Sequence, residues 1–320
     1  MPPLRLGTRG SPLALVQANL VKDALFAAHG VDCEICVIKT TGDRVQDRAL
    51  AEIGGKALWT KELDRALLER EIDCAVHSMK DVETIRPAAI AIAAMLERAD
   101  VRDRLVGADS LAAMREGGVV GTSSPRRKAQ VLRARPDLSV ALFRGNVDTR
   151  LAKLAAGEAD ATLLAAAGLD RLGRGDIGTA IAIDEMLPAP AQGAVGIECR
   201  ADDAVMLGLL AAIDHAETSR AVRCERALLA ALDATCHSPV AALATIAGNR
   251  LTLRAELLSE DGTDHVTAEA TALHIDLSSE EAPAIGAPVD AAALAEGVAL
   301  ALLDRASPSV RAGFGAGSKG

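Results

Sequence analysis

The sequence predicts an α/β fold over its first two thirds and a smaller α+β domain after them. Short apolar runs alternate with helical patterns up to about residue 215, which is typical of βαβ units. After that point a long helical stretch is followed by strand-like segments. A length of 320 residues suggests roughly two domains, and 50% hydrophobic residues suffice for buried cores.

The predicted elements follow in chain order. In the first α/β unit we expect strands at 4–6, 35–39 and 74–76 and helices at 12–28 and 61–69. In the second we expect strands at 119–121, 141–143 and 162–166 and helices at 125–133 and 149–156. The C-terminal part shows helices at 219–232 and 291–304 and strands at 243–246 and 251–257. Strands separated by helices predict mostly parallel sheets, and the Gly- and Ser-containing tail from 307 predicts disorder.

The composition excludes several classes of function. A net charge of −9 and 1% aromatic residues argue against nucleic-acid partners. No run approaches the roughly 20 apolar residues of a membrane span, and the first residues lack the apolar region of a signal peptide, so we expect a cytoplasmic protein. The six cysteines and six histidines are scattered without the spacing of metal ligands, which predicts no metal site. Cys33 and Cys36 form a C-x-x-C, but inside a predicted strand, where positions three apart face opposite sides.

Positive charge is concentrated in one segment. Residues 121–150 carry seven basic against two acidic side chains, a net +5, so the remainder carries −14. Arginine presents a planar fork that suits carboxylates, and the candidates are Arg9, Arg126, Arg127, Arg144 and Arg150. Arg126 and Arg127 fall in the first turn of a helix, where the dipole disfavours cations, so we infer a functional anion partner for them. Arg133 and Arg135 are expected on a solvated helix face.

Two segments share one pattern, residues 6–12 (LGTRGSP) and 120–125 (VGTSSP). Each combines a strand end, Gly-Thr, a Ser suited to cap a helix and a Pro at the first helical position. Free backbone N–H groups at such a helix start attract anions. Two of them in separate α/β units suggest two lobes facing a cleft that holds an anion, although ordinary capping is the alternative.

A third candidate segment follows the strand that ends near residue 76. Open α/β sheets bind ligands at the carboxyl ends of their strands, which is where Ser78, Lys80 and Asp81 fall. A solvated turn remains the alternative for the Lys-Asp pair alone.

At these residues the sequence resembles the porphobilinogen deaminase, or hydroxymethylbilane synthase, family. The matching segments are residues 8–15 (TRGSPLAL), 39–43 (KTTGD), 54–63 (GGKALWTKEL), 75–82 (AVHSMKDV), 121–127 (GTSSPRR), 144–151 (RGNVDTRL), 192–200 (QGAVGIECR) and 232–239 (LDATCHSP). They occur in the family's order over residues 5–240. No single segment is unique, but the ordered set is very specific.

The resemblance implies two α/β domains like those of type II periplasmic binding proteins around a cleft, plus a smaller α+β domain. We place these domains at 1–96 with 194–214, at 97–193 and at 215–306, followed by the tail at 307–320. The resemblance also implies a monomeric transferase that condenses four porphobilinogen molecules head to tail with release of ammonia. The product is the linear tetrapyrrole of heme or chlorophyll biosynthesis, and a transient hand-off to the next pathway enzyme is left open.

The resemblance further implies a dipyrromethane cofactor on Cys236 through a thioether, and Asp81 as the catalytic carboxylate. Residues 42–59 resemble a mobile loop over the active site. Residues that would bind cofactor or substrate carboxylates are Arg9, Ser11, Lys56, Ser78, Lys80, Thr122, Ser123, Ser124, Arg126, Arg127, Arg144, Gly145, Arg150, Gly168 and Gln192.

The sequence departs from the family pattern at three places. Ala234 and Thr235 replace a Gly-Gly before the cysteine, and because β-branched Thr tolerates positive φ poorly, we expect a differently shaped loop. Glu83 replaces a common Pro, and Pro125 a common Leu. The alternative function, a non-catalytic two-lobed anion-binding protein, would have no use for Asp81 or Cys236.

Overall fold

The computed structural model of the chain describes residues 2–40, 60–235, 237–273 and 289–314. It divides into two compact units. The first comprises Met1–Val101, Ala167–Gly175 and Gln192–Ser219, and the second Arg102–Ala166, Asp176–Ala191 and Arg220–Gly320. The first unit holds one five-stranded sheet, and the second holds a five-stranded and a three-stranded sheet.

The strands are β1 Leu4–Thr8, β2 Cys33–Val37, β3 Cys74–Ser78, β4 Ile90–Met95, β5 Asp103–Val106, β6 Val119–Gly121, β7 Ser139–Ala141, β8 Ala161–Ala165, β9 Thr179–Ala180, β10 Val195–Arg200, β11 Val240–Ala247, β12 Arg250–Leu258 and β13 His265–Leu273. The helices are α1 Pro12–His29, α2 Lys61–Leu68, α3 Pro125–Ala134, α4 Val147–Ala155, α5 Ala166–Arg171, α6 Ala204–Ala211, α7 Ala216–Ala231, α8 Val289–Arg305 and α9 Pro308–Arg311. A 3-10 helix, Met79–Asp81, follows β3 directly.

The two five-stranded sheets share one plan, with strand orders β2-β1-β3-β10-β4 and β7-β6-β8-β5-β9. In each, the first three strands are parallel and the next two pairings are antiparallel. The α/β class is therefore confirmed, but the expectation of mostly parallel sheets is wrong. The antiparallel strands β5 and β10 follow the points where the chain passes between units, so no crossover helix imposes parallel pairing on them.

The shared sequence pattern marks equivalent places in the two sheets. Each copy lies at the end of the middle strand of a parallel trio, β1 or β6, and begins the next helix. Ser11 and Ser124 cap these helices by accepting hydrogen bonds from Ala14 N and Arg127 N. Pro12 and Pro125 start them, as the missing N–H of proline allows, so the predicted capping is confirmed.

The C-terminal part is an antiparallel meander, β11-β12-β13, with its own core, which includes Leu228, Leu253 and Leu302. The expectation of disorder from residue 307 is wrong for the described residues up to 314. Ser307 caps α9, and Val310 and Phe314 are buried in that core, so apolar burial orders this segment despite its composition. Residues 315–320 lie outside the described residues.

Two local details of the prediction are resolved by the structure. Cys33 and Cys36 lie in β2, as expected. The strand predicted at 141–143 ends at Ala141, because Phe143 leaves the sheet to pack its ring on Gly121, where a Cβ would come within 2.4 Å of that ring.

No helix in the described ranges is long and apolar enough to cross a bilayer. Those ranges also show no cluster of three or more metal-ligating side chains.

Candidate active site

A pocket in the first unit lies at the carboxyl ends of two neighbouring parallel strands, β1 and β3. Its lining includes four residues predicted for the site, Arg9, Ser11, Ser78 and Asp81. Arg9 and Ser11 come from the loop that starts α1, and Ser78 and Asp81 from the end of β3 and the 3-10 helix. The structure thus places a cation, a helix N-terminus, a hydroxyl and a carboxylate around one pocket.

Three further predicted residues lie in the same unit. Lys80 Nζ donates to Gln192 Oε1 at 3.4 Å, and Gln192 Nε2 donates to the Val101 carbonyl at 2.8 Å. Gln192 is fully buried, so its described contacts hold Lys80 in place. Gly168 packs beside Leu13, whose side chain would lie 3.5 Å from an added Cβ, and Leu13 lines the pocket.

Behind the pocket lies a buried charge network that the sequence reasoning missed. Glu198 is fully buried and accepts from Arg86 Nε at 2.7 Å, while His77 Nε2 lies 3.2 Å from Glu198 Oε2. Burial alone would raise the pKa of Glu198, but His77 and Arg86 lower it to about 2. The signal in the sequence was a Glu inside an apolar strand, residues 195–200.

Glu83, which replaces the family's common Pro, belongs to the same network. Glu83 Oε2 accepts from Arg86 NH1 at 2.9 Å and from the Thr60 hydroxyl at 2.7 Å. The departure therefore adds an ion pair next to the pocket.

In the second unit, the loops after β6 and β7 lie side by side because these strands are hydrogen-bonded neighbours. Thr122 N donates to the Ala141 carbonyl at 2.9 Å, and Thr122 Oγ1 accepts from Ser124 N at 3.2 Å. Gly145 has φ +106 and would place a Cβ 2.7 Å from Thr149, so only glycine fits. The structure thus places Thr122, Ser123 and Ser124 beside the Arg144-Gly145 loop.

Arg126 and Arg127 are buried, and both guanidinium groups bind the carboxylate of Asp103 on β5, at 2.7 Å and 2.6 Å. Burial would raise the pKa of Asp103, but the two guanidinium groups lower it far below its usual range. This corrects the inference from the helix dipole, because an internal carboxylate already accounts for two cations in the first turn. Their role in binding a ligand stays a prediction.

Arg133 and Arg135 are partly exposed, as expected for a solvated face, but each is also held by partners within the protein. Arg133 forms an ion pair with Glu256 of β12, and Arg135 binds Asp137 and the Leu111 carbonyl. Of the remaining predicted arginines, Arg144 is buried and Arg150 Nε donates to the Gly145 carbonyl at 3.0 Å.

The arginine cluster fits an anionic cofactor. Two buried guanidinium groups share the carboxylate of Asp103, and the Nε atoms of Arg126 and Arg127 are buried without an acceptor among the described residues. Two guanidinium groups that share one carboxylate leave a net positive charge, which the carboxylates of a dipyrromethane would match.

Cys236, Lys56 and the predicted loop at 42–59 lie outside the described residues. Ala234 and Thr235 can stand where the family has Gly-Gly because neither residue has a positive φ. The positive φ in this turn falls at Asp233 (φ +49). Thr235 instead accepts from His237 N at 3.2 Å. Burial, and to a smaller extent the charge of Arg144, lower the pKa of His237.

Comparisons with known proteins identify related chains. A family model described as porphobilinogen deaminase, dipyromethane cofactor binding domain, matches residues 4–208, and one described as porphobilinogen deaminase, C-terminal domain, matches 219–295. The porphobilinogen deaminase of Sphingopyxis alaskensis is 63% identical, over 82% of this chain and 87% of its own. That of Paracoccus denitrificans is 54% identical, over 83% and 87%.

Among solved structures, the Bordetella pertussis BvgS periplasmic VFT2 domain shares 16% identity over 66% of this chain and 86% of its own, with a TM-score of 0.39. The assignment rests on the family models and the relatives. The chain belongs to the porphobilinogen deaminase family, the hydroxymethylbilane synthases of tetrapyrrole biosynthesis, and carries that family's dipyrromethane cofactor domain.

Proposed function

We propose that Asp81 is the catalytic carboxylate of porphobilinogen condensation in this chain. The observation that carries the proposal is the shared pocket, in which Asp81 lies with Arg9, Ser11 and Ser78. When the amine of porphobilinogen leaves, positive charge develops on the pyrrole and its methylene carbon. A carboxylate aimed at that position stabilises the charge and can hold a proton.

The substrate's acetate and propionate groups require cations and hydrogen-bond donors. Arg9, the Ser11 hydroxyl and the N-terminus of α1 supply them in the pocket, since a helix N-terminus favours anions. Lys80 adds a further positive charge, held by Gln192. We propose that Arg126, Arg127, Arg144 and Arg150, with Thr122, Ser123, Ser124 and Gly145, bind the carboxylates of the pyrrole chain. Lys56 and Gly168 complete the proposed set.

We propose Cys236 as the attachment point of the dipyrromethane, which when bound supplies the pyrrole carbon that the first substrate joins. Thioether formation needs a nucleophilic thiol. Burial raises the thiol pKa at each of the five described cysteines, to about 11 at Cys199 and about 12 at Cys224, which makes them poor nucleophiles. The match to the family motif supports Cys236.

The family resemblance also supports a monomeric, cytoplasmic enzyme that hands its product to the next enzyme of the pathway, and we propose these finer points on that ground alone. Sedimentation of the purified chain, with and without that enzyme, measures both association states.

Asp81→Asn tests the central proposal. We expect kcat for porphobilinogen consumption to fall by about 100-fold or more, the usual size of an acid-base or charge-stabilising contribution, with the thermal midpoint unchanged. Asp23→Asn, at an exposed position of α1, is the matched control and should keep full activity. Full activity in Asp81→Asn would show that another group supplies the carboxylate.

A further inference from the structure

Gln17 occupies a place in α1 where an apolar side chain is expected. The buried stripe of this helix consists of Ala14, Gln17, Ala18, Val21 and Leu25, and Gln17 is only 3% exposed. A buried amide costs free energy unless it is hydrogen-bonded, and local rules are broken mainly at functional sites. This glutamine therefore needs an explanation beyond helix packing.

Within the described residues, the Gln17 amide forms hydrogen bonds with one partner, Ser78. Its Nε2 donates to Ser78 Oγ at 2.8 Å, and the same hydroxyl lies 3.1 Å from Gln17 Oε1. Within the described parts of the chain neither side chain has another hydrogen-bond partner. Both residues line the pocket that holds Arg9 and Asp81.

The two contacts place the hydroxyl proton differently. When Nε2 donates, Ser78 Oγ acts as acceptor and keeps its own proton for a third group. When the hydroxyl turns toward Oε1, that proton is occupied. In the first arrangement the hydroxyl offers its O–H to an anion in the pocket, and in the second an anion has to draw that proton away from Oε1.

We propose that Gln17 is a positioning residue that directs the Ser78 hydroxyl proton at a pyrrole carboxylate. This rests on the proposed function, in which Ser78 binds such a carboxylate, and it adds the residue that sets the direction of that bond. The carboxylate belongs either to porphobilinogen or to the cofactor, two sources with the same chemistry.

Gln17→Met tests the proposal, because methionine keeps the length and suits the apolar stripe but cannot donate. We expect a five- to tenfold loss, the size of one hydrogen bond between neutral groups such as the one from Gln17 to Ser78. If the carboxylate is the substrate's, KM rises while kcat is little changed, since the interaction is made equally in ground and transition states. If it is the cofactor's, the fraction of chains carrying the added dipyrromethane mass falls.

The double variant with Ser78→Ala decides whether Gln17 acts through Ser78. We expect Gln17→Met to cost nothing further in the Ser78→Ala background. Additive losses, or an unchanged KM and unchanged cofactor mass in Gln17→Met, would overturn the proposal. If Ser78→Ala itself changes neither KM nor the cofactor mass, the proposed role of Ser78 in binding a carboxylate is wrong. That result distinguishes failure of the proposed function from failure of the positioning role of Gln17.

Two further variants complete the design. Asn19→Ala removes an exposed amide from the same helix, whose hydrogen bond within the described residues goes to the Leu15 carbonyl, and should leave KM and cofactor mass unchanged. Gln17→Glu keeps the shape but accepts the Ser78 proton and adds negative charge beside an anion site. It should raise KM, or lower the fraction of chains that carry the cofactor, at least as much as Gln17→Met does. A native KM together with native cofactor loading in Gln17→Glu would also contradict the proposal.

Discussion

At the scale of single residues, a local sequence rule identifies an unusual buried charge but not its partner. Two arginines in the first turn of α3 violate the preference set by the helix dipole, and the sequence exposes that violation. Their partner, Asp103, lies 23 and 24 residues earlier on another element, so only the fold identifies it. The same holds for Gln17, whose partner Ser78 is 61 residues away.

Glu198→Gln tests the buried network behind the pocket. We expect a loss of about 3 kcal/mol or more in the free energy of unfolding, because Arg86 and His77 lose a buried anionic partner. The folded pKa of Glu198 is lowered from 4.5 to about 2. Its contribution is therefore fully present above about pH 4.5 and lost as the pH falls toward 2.

Urea titrations between pH 7 and pH 2 would measure this. The difference in unfolding free energy between the native chain and Glu198→Gln should shrink as the pH falls through that window. A difference that stays constant would show that ionisation of Glu198 contributes nothing to stability.

At the scale of elements, helix starts were the most predictable feature, because Ser11-Pro12 and Ser124-Pro125 satisfy local hydrogen bonds within a few residues. Strand direction and the ordered C-terminal segment were less so. Antiparallel pairing of β5 and β10 depends on where the chain changes units, and the order of 307–314 depends on core contacts of Val310 and Phe314.

Deletion of residues 307–320 tests that last point. Burying one large apolar side chain is worth about 1.5–3 kcal/mol, so losing Val310 and Phe314 should lower the unfolding free energy by about 3 kcal/mol or more. Deletion of 315–320 alone spares both side chains and should keep the native value. Equal stability of the two truncated chains would contradict a structural role for α9.

At the scale of the whole molecule, the net charge of −9 does not show that the two units carry different parts of the proposed site. The pocket with Asp81 belongs to the first unit, and the arginine cluster and the third sheet to the second. The cleft that the sequence suggested between two lobes stays a prediction, as do the boundaries of three domains within these two units.

Cys236→Ser tests how the C-terminal part contributes. The purified native chain should exceed its sequence mass by two pyrrole units, and this excess should be absent in Cys236→Ser because serine forms no thioether. Cys36→Ser, in β2, is the matched control and should retain the added mass. An unmodified native chain from a host that makes porphobilinogen would contradict attachment at Cys236.

The sequence by itself determined the α/β class, the two capped helix starts and the family, because these depend on local periodicity, capping chemistry and ordered motifs. Only the tertiary structure decided which side chains face each other. Arg126 and Arg127 bind Asp103, Gln17 binds Ser78, and Glu198 binds Arg86. Partners far apart in sequence are brought together by strand order and burial, and no local pattern carries that information.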